Sequence, residues 1–232
     1  MGLLGFFSRG EKNKEPEEPY VPFEIAEPVS GDYDEFRKIL LNHSLIMLIT
    51  GKRGSGKTAL GMKMLEMFNR ETRRKCYAIG FDGTKLPRWI KKEDDIDNTP
   101  NNSVVLVDEG GITFSSRESM RGANKALGKI MAIARHKNLT LLMITQSSAM
   151  IDLNVLRLAD AVLLKEPSLM QAKFERKAIR EMYEKIKPKF EELEPKERKS
   201  RFYIWADEFE GMMMYGLPDF WSDSISRAFQ KI

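Results

Sequence analysis

Cysteine, histidine and long apolar runs are what this 232-residue chain has least of. One cysteine, Cys76, excludes an internal disulfide and fits a reducing compartment. Two histidines, and no cluster of Cys, His and carboxylates at ligand spacing, leave no signature of a structural metal centre. No apolar stretch approaches the ~20 residues that a membrane-spanning helix needs. The apolar start, residues 2–7, is too short to span or to serve as the core of a signal peptide. Phe6 stands where a myristoylation site wants Ser or Thr. That start reads as a disordered terminus or as a sticky tail for a partner or a membrane. There are no internal repeats.

What is present is charge, at 31% of residues, and it is unevenly spread. Segment 11–29 holds six Glu against two Lys, while the net charge of the whole is +4. The remainder is therefore mildly basic. That suits an anionic partner such as nucleic acid, but the excess is too small to establish one. Residues 8–30 carry Pro16, Pro19, Pro22 and Pro28 and read as an extended arm with little core of its own.

Strand and helix then alternate. Asp32 with Glu35 forms a capping pair for a helix to about Leu41. Strands are expected at 45–50, 75–80, 104–107, 139–145 and 161–164. A helix follows the first strand, with Leu60, Met64, Met67 and Phe68 on one face, and another runs near 118–137. Stretch 82–102 reads as loop, and Asp152 as the cap of a short helix. Continuous apolar runs such as Val104-Val105-Leu106-Val107 are the pattern of a parallel sheet buried on both faces. The fold class is α/β. Beyond Pro167 come a charged helix over 170–187 ending near Pro188, short strands near 201–206 and 211–215, and a last helix after Asp219. Met212-Met213-Met214 reads as core strand ahead of an adaptable contact surface.

The most specific feature is Gly51-Lys52-Arg53-Gly54-Ser55-Gly56-Lys57-Thr58, set between the first strand and its helix. This is G-x-x-x-x-G-K-[ST] in the context a phosphate-binding loop requires. Gly51, Gly54, Ser55 and Gly56 supply a tight turn whose N–H groups face inward, beside a helix N-terminus. Lys57 is placed to reach the β- and γ-phosphates of a nucleotide, and the Thr58 hydroxyl to hold Mg²⁺. The strand at 104–107 ends in Asp108-Glu109. Asp108 is the expected second group toward Mg²⁺, and Glu109 the carboxylate that polarises the attacking water. Gln146, at the tip of the strand Leu141–Thr145, can touch the γ-phosphate or that water as donor and acceptor. A strand of this kind is expected between the loop strand and the Asp108 strand.

Three chemistries compete for the loop. A small-molecule kinase predicts an arginine-rich lid and no Glu after the metal Asp, so Glu109 argues against it. A GTPase needs an Asn-Lys-x-Asp guanine reader, which the chain lacks. An ATP-binding scaffold or switch is disfavoured by the complete set Lys57, Thr58, Asp108 and Glu109.

Asp108-Glu109, then Ala134-Arg135-His136-Lys137-Asn138-Leu139-Thr140, then Ile144-Thr145-Gln146-Ser147 resembles the HerA–FtsK superfamily of P-loop motors. The likeness covers about 45–165. That superfamily includes viral genome-packaging ATPases, conjugative coupling proteins and zonula-occludens-toxin-like assembly proteins. The compact size and lack of an anchor resemble most the packaging ATPases of archaeal and other double-stranded-DNA viruses. The resemblance implies a three-layer RecA-like P-loop NTPase with a mostly parallel sheet. It implies a Mg²⁺-dependent ATPase acting as a homo-oligomeric ring, normally a hexamer, on double-stranded DNA. Arg135 is the implied finger acting in trans on a neighbour's nucleotide, with Arg117 and Arg157 as rivals.

The expected layout is a flexible arm over 1–30, a P-loop core over 31–166 and a small α+β extension over 167–232. The expected location is the host cytoplasm, with a virion shell or a membrane reached through residues 2–7. Candidate DNA contacts are Arg70, Arg73, Arg74 and Lys75, or Arg121, Lys125 and Lys129, each group also readable as a solvated helix surface. An assembly ATPase exporting virions or filaments shares the chemistry, but normally carries a membrane span.

Overall fold

A computed structural model describes residues 20–108, 120–145, 153–168, 177–222 and 225. In chain order the elements are β1 (Glu24–Gly31), α1 (Tyr33–Asn42), β2 (Ile46–Thr50), α2 (Lys57–Glu71), β3 (Cys76–Ile79) and β4 (Ile90–Lys92). After a 3₁₀ turn at Ile96–Asn98 come β5 (Val104–Asp108), α3 (Met120–His136), β6 (Thr140–Ile144), α4 (Leu153–Leu158) and β7 (Ala161–Leu164). Next along the chain come α5 (Lys177–Glu191), α6 (Pro195–Arg198), β8 (Arg201–Ala206) and β9 (Phe209–Met214). Among the described residues all nine strands join one sheet, in the order β1-β9-β8-β7-β2-β6-β5-β3-β4.

The run from β4 to β7 is parallel. Its strands carry apolar residues at consecutive positions because both faces are covered. On β2, Met47 and Ile49 join the core with α1 and α2, while Ile46 and Leu48 join the core with α3 and α5. The expected three layers are therefore present. β6 lies between β2 and β5, as expected for the strand carrying Gln146 at its tip.

Three local expectations are corrected. Residues 24–30 belong to a strand: β1 pairs antiparallel with β9 at the sheet edge. All eight of its residues are exposed, so no hydrophobic alternation marked it, and Pro28 sits beside a register shift, where an edge strand tolerates proline. Second, α5 runs through Pro188 to Glu191. Its buried stripe Met182, Ile186 and Phe190 continues past the proline, and that burial offsets the missing hydrogen bond. Third, stretch 82–102 contains β4, paired parallel with β3. The short strands expected near 201–206 and 211–215 continue the sheet from β7 as β8 and β9.

The Asp32 cap is as expected in part. Its carboxylate accepts from the Asp34 and Glu35 amides. The Asp32 amide itself donates to the Glu208 carbonyl at 2.8 Å, which ties the start of α1 to the β8–β9 turn. The last helix expected after Asp219 lies mostly outside the described residues.

α2 departs most from an ordinary surface helix. It is buried over Ala59–Phe68, including Lys63 (0% exposed) and Glu66 (2%). The Lys63 ammonium donates to the Glu66 carboxylate at 2.5 Å and lies over the Tyr20 ring. The other Glu66 oxygen accepts from the Asp219 amide at 2.8 Å. Segment 217–221, which carries no motif, is thus a clamp on α2. Arg70 adds an ion pair to Asp219 at 3.2 Å, and Phe220 meets Trp89 edge-on.

Candidate nucleotide site

β2 delivers the loop at the C-terminal edge of the parallel strands. Three of its glycines have positive φ: Gly51 at 146°, Gly54 at 75° and Gly56 at 91°. Side chains are also sterically barred at Gly51, where a Cβ would lie 2.6 Å from the Lys165 Cβ. Gly56 is the N-cap of α2 and provides no side-chain cap. The amides of the first helical turn are thus left for an external acceptor, and the helix dipole favours an anion there. The Ser55 hydroxyl is buried without a hydrogen-bond partner, as expected for a group that completes its bonding on a ligand.

Lys57 is buried and folds back over the turn. Its ammonium donates to the Gly51 carbonyl at 2.8 Å and to the Lys52 carbonyl at 3.1 Å. It is held at the mouth of the loop by acceptors that a phosphate can replace. The donor set fits a nucleotide's phosphates.

Asp108 ends β5 level with Ile144 on β6, which is level with Ile49 on β2. It therefore stands two strands over from the loop strand, with β6 between, two residues below the level of Gly51. Thr58 is the second residue of α2 and half-buried. Thr58, at the start of α2, and Asp108, at the end of β5, are the residues here that could hold a metal ion. Glu109, Gln146 and Arg117 lie outside the described residues.

Arg135 is at the opposite edge of the sheet. Its guanidinium donates to the Leu158 carbonyl at 2.7 Å and lies 3.4 Å from the Asp160 carboxylate. The other Asp160 oxygen accepts from the Ile46 amide, at the start of β2. Five residues of β2 separate that anchor from the loop, about 16 Å at strand rise. Arg135 therefore does not serve the loop of its own chain. Its side chain is 51% exposed, facing outward. Arg157, in the last turn of α4, is exposed as well.

The expected cationic groups divide. Arg74 is an internal clamp, not a solvated end or a free phosphate contact. It donates to the carbonyls of Asn102 (3.0 Å), His43 (3.2 Å) and Ser103 (2.9 Å) and to the Thr140 hydroxyl (2.6 Å). Arg70 is engaged by Asp219, while Arg73 and Lys75 are exposed. Lys129 lines a cavity with Asp94 and Asp95 on the α3 side. The side chains of Arg121 and Lys125 lie outside the described residues.

Sequence reasoning missed the residues behind the loop. Lys165 directly follows β7, is fully buried, and donates to the carbonyls of Lys199 (2.7 Å) and Arg201 (2.6 Å) and to the Tyr215 hydroxyl (3.1 Å). Glu166 grips the front: its carbonyl accepts from the Lys52 amide at 2.9 Å, and its carboxylate meets Lys52 at 2.6 Å and Arg198 at 3.2 Å. The available signal was a Lys-Glu pair closing the apolar run Ala161–Leu164, since a charge at the end of a buried strand lies on the active edge of a parallel sheet.

Fold and loop together define a RecA-like P-loop NTPase fold. Solved structures show the same architecture. The DNA-packaging ATPase B204 of Sulfolobus turreted icosahedral virus matches 76% of this chain and 100% of its own, at 16% identity and a TM-score of 0.51. The genome-packaging NTPase B204 of Sulfolobus turreted icosahedral virus 2, in complex with ATP-gammaS, matches with the same coverage at 14% identity and a TM-score of 0.50. The pCW3 conjugation coupling protein TcpA matches 82% of this chain and 66% of its own, at 12% identity and a TM-score of 0.52. No family model matches the chain, and no curated protein matches it in sequence. At these identities the likeness shows a shared fold. Among the described residues, no helix is long and apolar enough to cross a membrane.

Proposed function

We propose that this chain is an ATP-hydrolysing motor that moves double-stranded DNA, of the kind that packages viral or mobile-element genomes. The observation that carries the reading is the loop: three glycines at positive φ, an uncapped helix N-terminus, a buried Ser55 hydroxyl without a partner, and Lys57 across the mouth. Mg²⁺, held by Thr58 and Asp108, would neutralise charge on the transferred phosphate. Glu109 polarises the attacking water, and Gln146 orients it against the γ-phosphate. Arg135 reaches a neighbouring subunit's nucleotide in a ring, normally hexameric, and its exposure at the far edge of the sheet supports a role in trans. The likeness to packaging and coupling proteins supports DNA as the cargo. The working place in this reading is the host cytoplasm, with a virion shell or a membrane reached through residues 2–7.

The test is ATP hydrolysis by the full chain with and without double-stranded DNA, across a salt series. Stimulation by DNA that fades with salt is expected, because phosphate contacts release counterions. Hydrolysis indifferent to DNA at every salt concentration would instead favour a virion- or filament-assembly ATPase, and binding without hydrolysis a nucleotide-operated scaffold. A Glu109→Gln variant should bind ATP without cleaving it, and Arg135→Ala should poison mixed rings beyond its share.

A further inference from the structure

The loop is braced from behind by a second lysine that no motif assigns. Lys165 reaches the loop in two ways. Its Cβ occupies the space above Gly51, which is why that position takes no side chain. Its ammonium donates to the Tyr215 hydroxyl, whose proton is thereby directed to the Gly56 carbonyl at 3.2 Å. Gly56 is the left-handed residue that turns the loop into α2, and its carbonyl also accepts the first helical bond, from the Leu60 amide at 3.0 Å. The Lys199 and Arg201 carbonyls fix the ammonium from the β8 side. Tyr215 is packed by Phe23 and Phe202, so its hydroxyl has little freedom to leave.

We propose that Lys165 and Tyr215 form a positioning pair that holds the Gly56 peptide, and with it the phosphate-facing amides, in the anion-binding turn. The proposal rests on the reading of the loop as a nucleotide site. Neither residue touches substrate; they act through Gly51 and Gly56. A pre-set turn saves the ordering cost that a flexible glycine loop would meet on binding.

The pair also gives the loop a proton-linked component. Burial pulls Lys165 down to about 7; Glu166 opposes that shift, and Lys57 adds to it. The groups facing Lys165 are Lys57 from α2, Glu166 beside it and Tyr215 after β9, with β8 presenting backbone carbonyls. Phosphate charge in the loop favours the ammonium form. Binding therefore takes up a proton, and affinity falls as pH rises through about 7.

Tyr215→Phe removes only the hydroxyl and leaves the ring packing, so it is the decisive variant. ATP affinity and turnover are measured beside the melting temperature. Tyr215→Phe should weaken ATP binding about 3- to 10-fold, the worth of one hydrogen bond, with kcat at saturation unchanged. Lys165→Met should weaken it at least as much, and the double variant no further than Lys165→Met alone. The ratio of wild-type to Lys165→Met affinity should decline from about pH 6 to about pH 9. If wild type binds ATP and Tyr215→Phe binds it equally well, or lowers only the melting temperature, the positioning role is overturned while the nucleotide reading stands. If wild type binds no ATP, the nucleotide reading falls and takes this proposal with it.

Discussion

The parallel strands β4-β3-β5-β6-β2-β7 and the antiparallel strands β8-β9-β1 bury their residues by different rules. β2 and β6 are buried at every position, while β1 is exposed at every position and β8 leaves Trp205 43% exposed. The parallel part ends in the loop and Asp108. The antiparallel part contributes no residue of the motif, yet it and the residues flanking it supply Tyr215 and the carbonyls that fix Lys165. The phosphate-loop edge and the groups packed behind it are thus built from two kinds of sheet.

That division can be broken first at its joint. Lys63→Met leaves the Glu66 carboxylate buried without its cation, which should cost about 3–5 kcal/mol in denaturant unfolding. A loss below about 1 kcal/mol would mean that the α2 contacts do not couple the two parts. Next in size, Lys57→Ala should reduce ATP turnover about 100- to 1,000-fold with the melting temperature little changed, placing the chemistry on the parallel edge alone. An equally large loss of stability would blur the division.

The third test uses protons. Lys165 has a folded value near 7 against an ordinary unfolded lysine, so the unfolded chain binds the extra proton between those values. The contribution of Lys165 to stability should therefore rise with pH above about 7, at about 1.4 kcal/mol per pH unit. Lys165→Met should lack that slope when unfolding free energies are compared across the range. Smallest, Arg70→Ala removes a partly exposed pair to Asp219 and should shift stability by about 0.2–1 kcal/mol.

The parallel part was legible because its signals are local. The loop, the apolar strand ending in Asp108 and the strand between them are each contained in a few consecutive residues, and the three-layer arrangement follows from strands buried on both faces. What escaped depends on partners far along the chain. Lys63 and Glu66 look like the wet face of α2 until residues 217–221 cover them. β1 has no alternation because its place is set by backbone pairing to β9, nearly the whole chain away. Arg74 looks like a solvated helix end until the carbonyls around it are counted. Lys165 looks like half of a Lys-Glu pair in the sequence, but its hydrogen-bond partners are mostly backbone oxygens, which no sequence displays. Met212 and Met213 are buried in β9, as the core-strand reading had it.

His43, Asn102–Ser103 and Thr140 stand at or just before the starts of β2, β5 and β6, and Arg74 itself stands just before β3. One guanidinium therefore sets a common zero for neighbouring strands. β2, β5 and β6 are each five residues long, so strands aligned at one end finish nearly level at the other. The spacing between the phosphate loop and Asp108 is in effect measured out from the far side of the molecule. A single residue inserted within β5 would carry Asp108 out of step with the loop by one strand rise, about 3.3 Å, with every residue of the motif still in place.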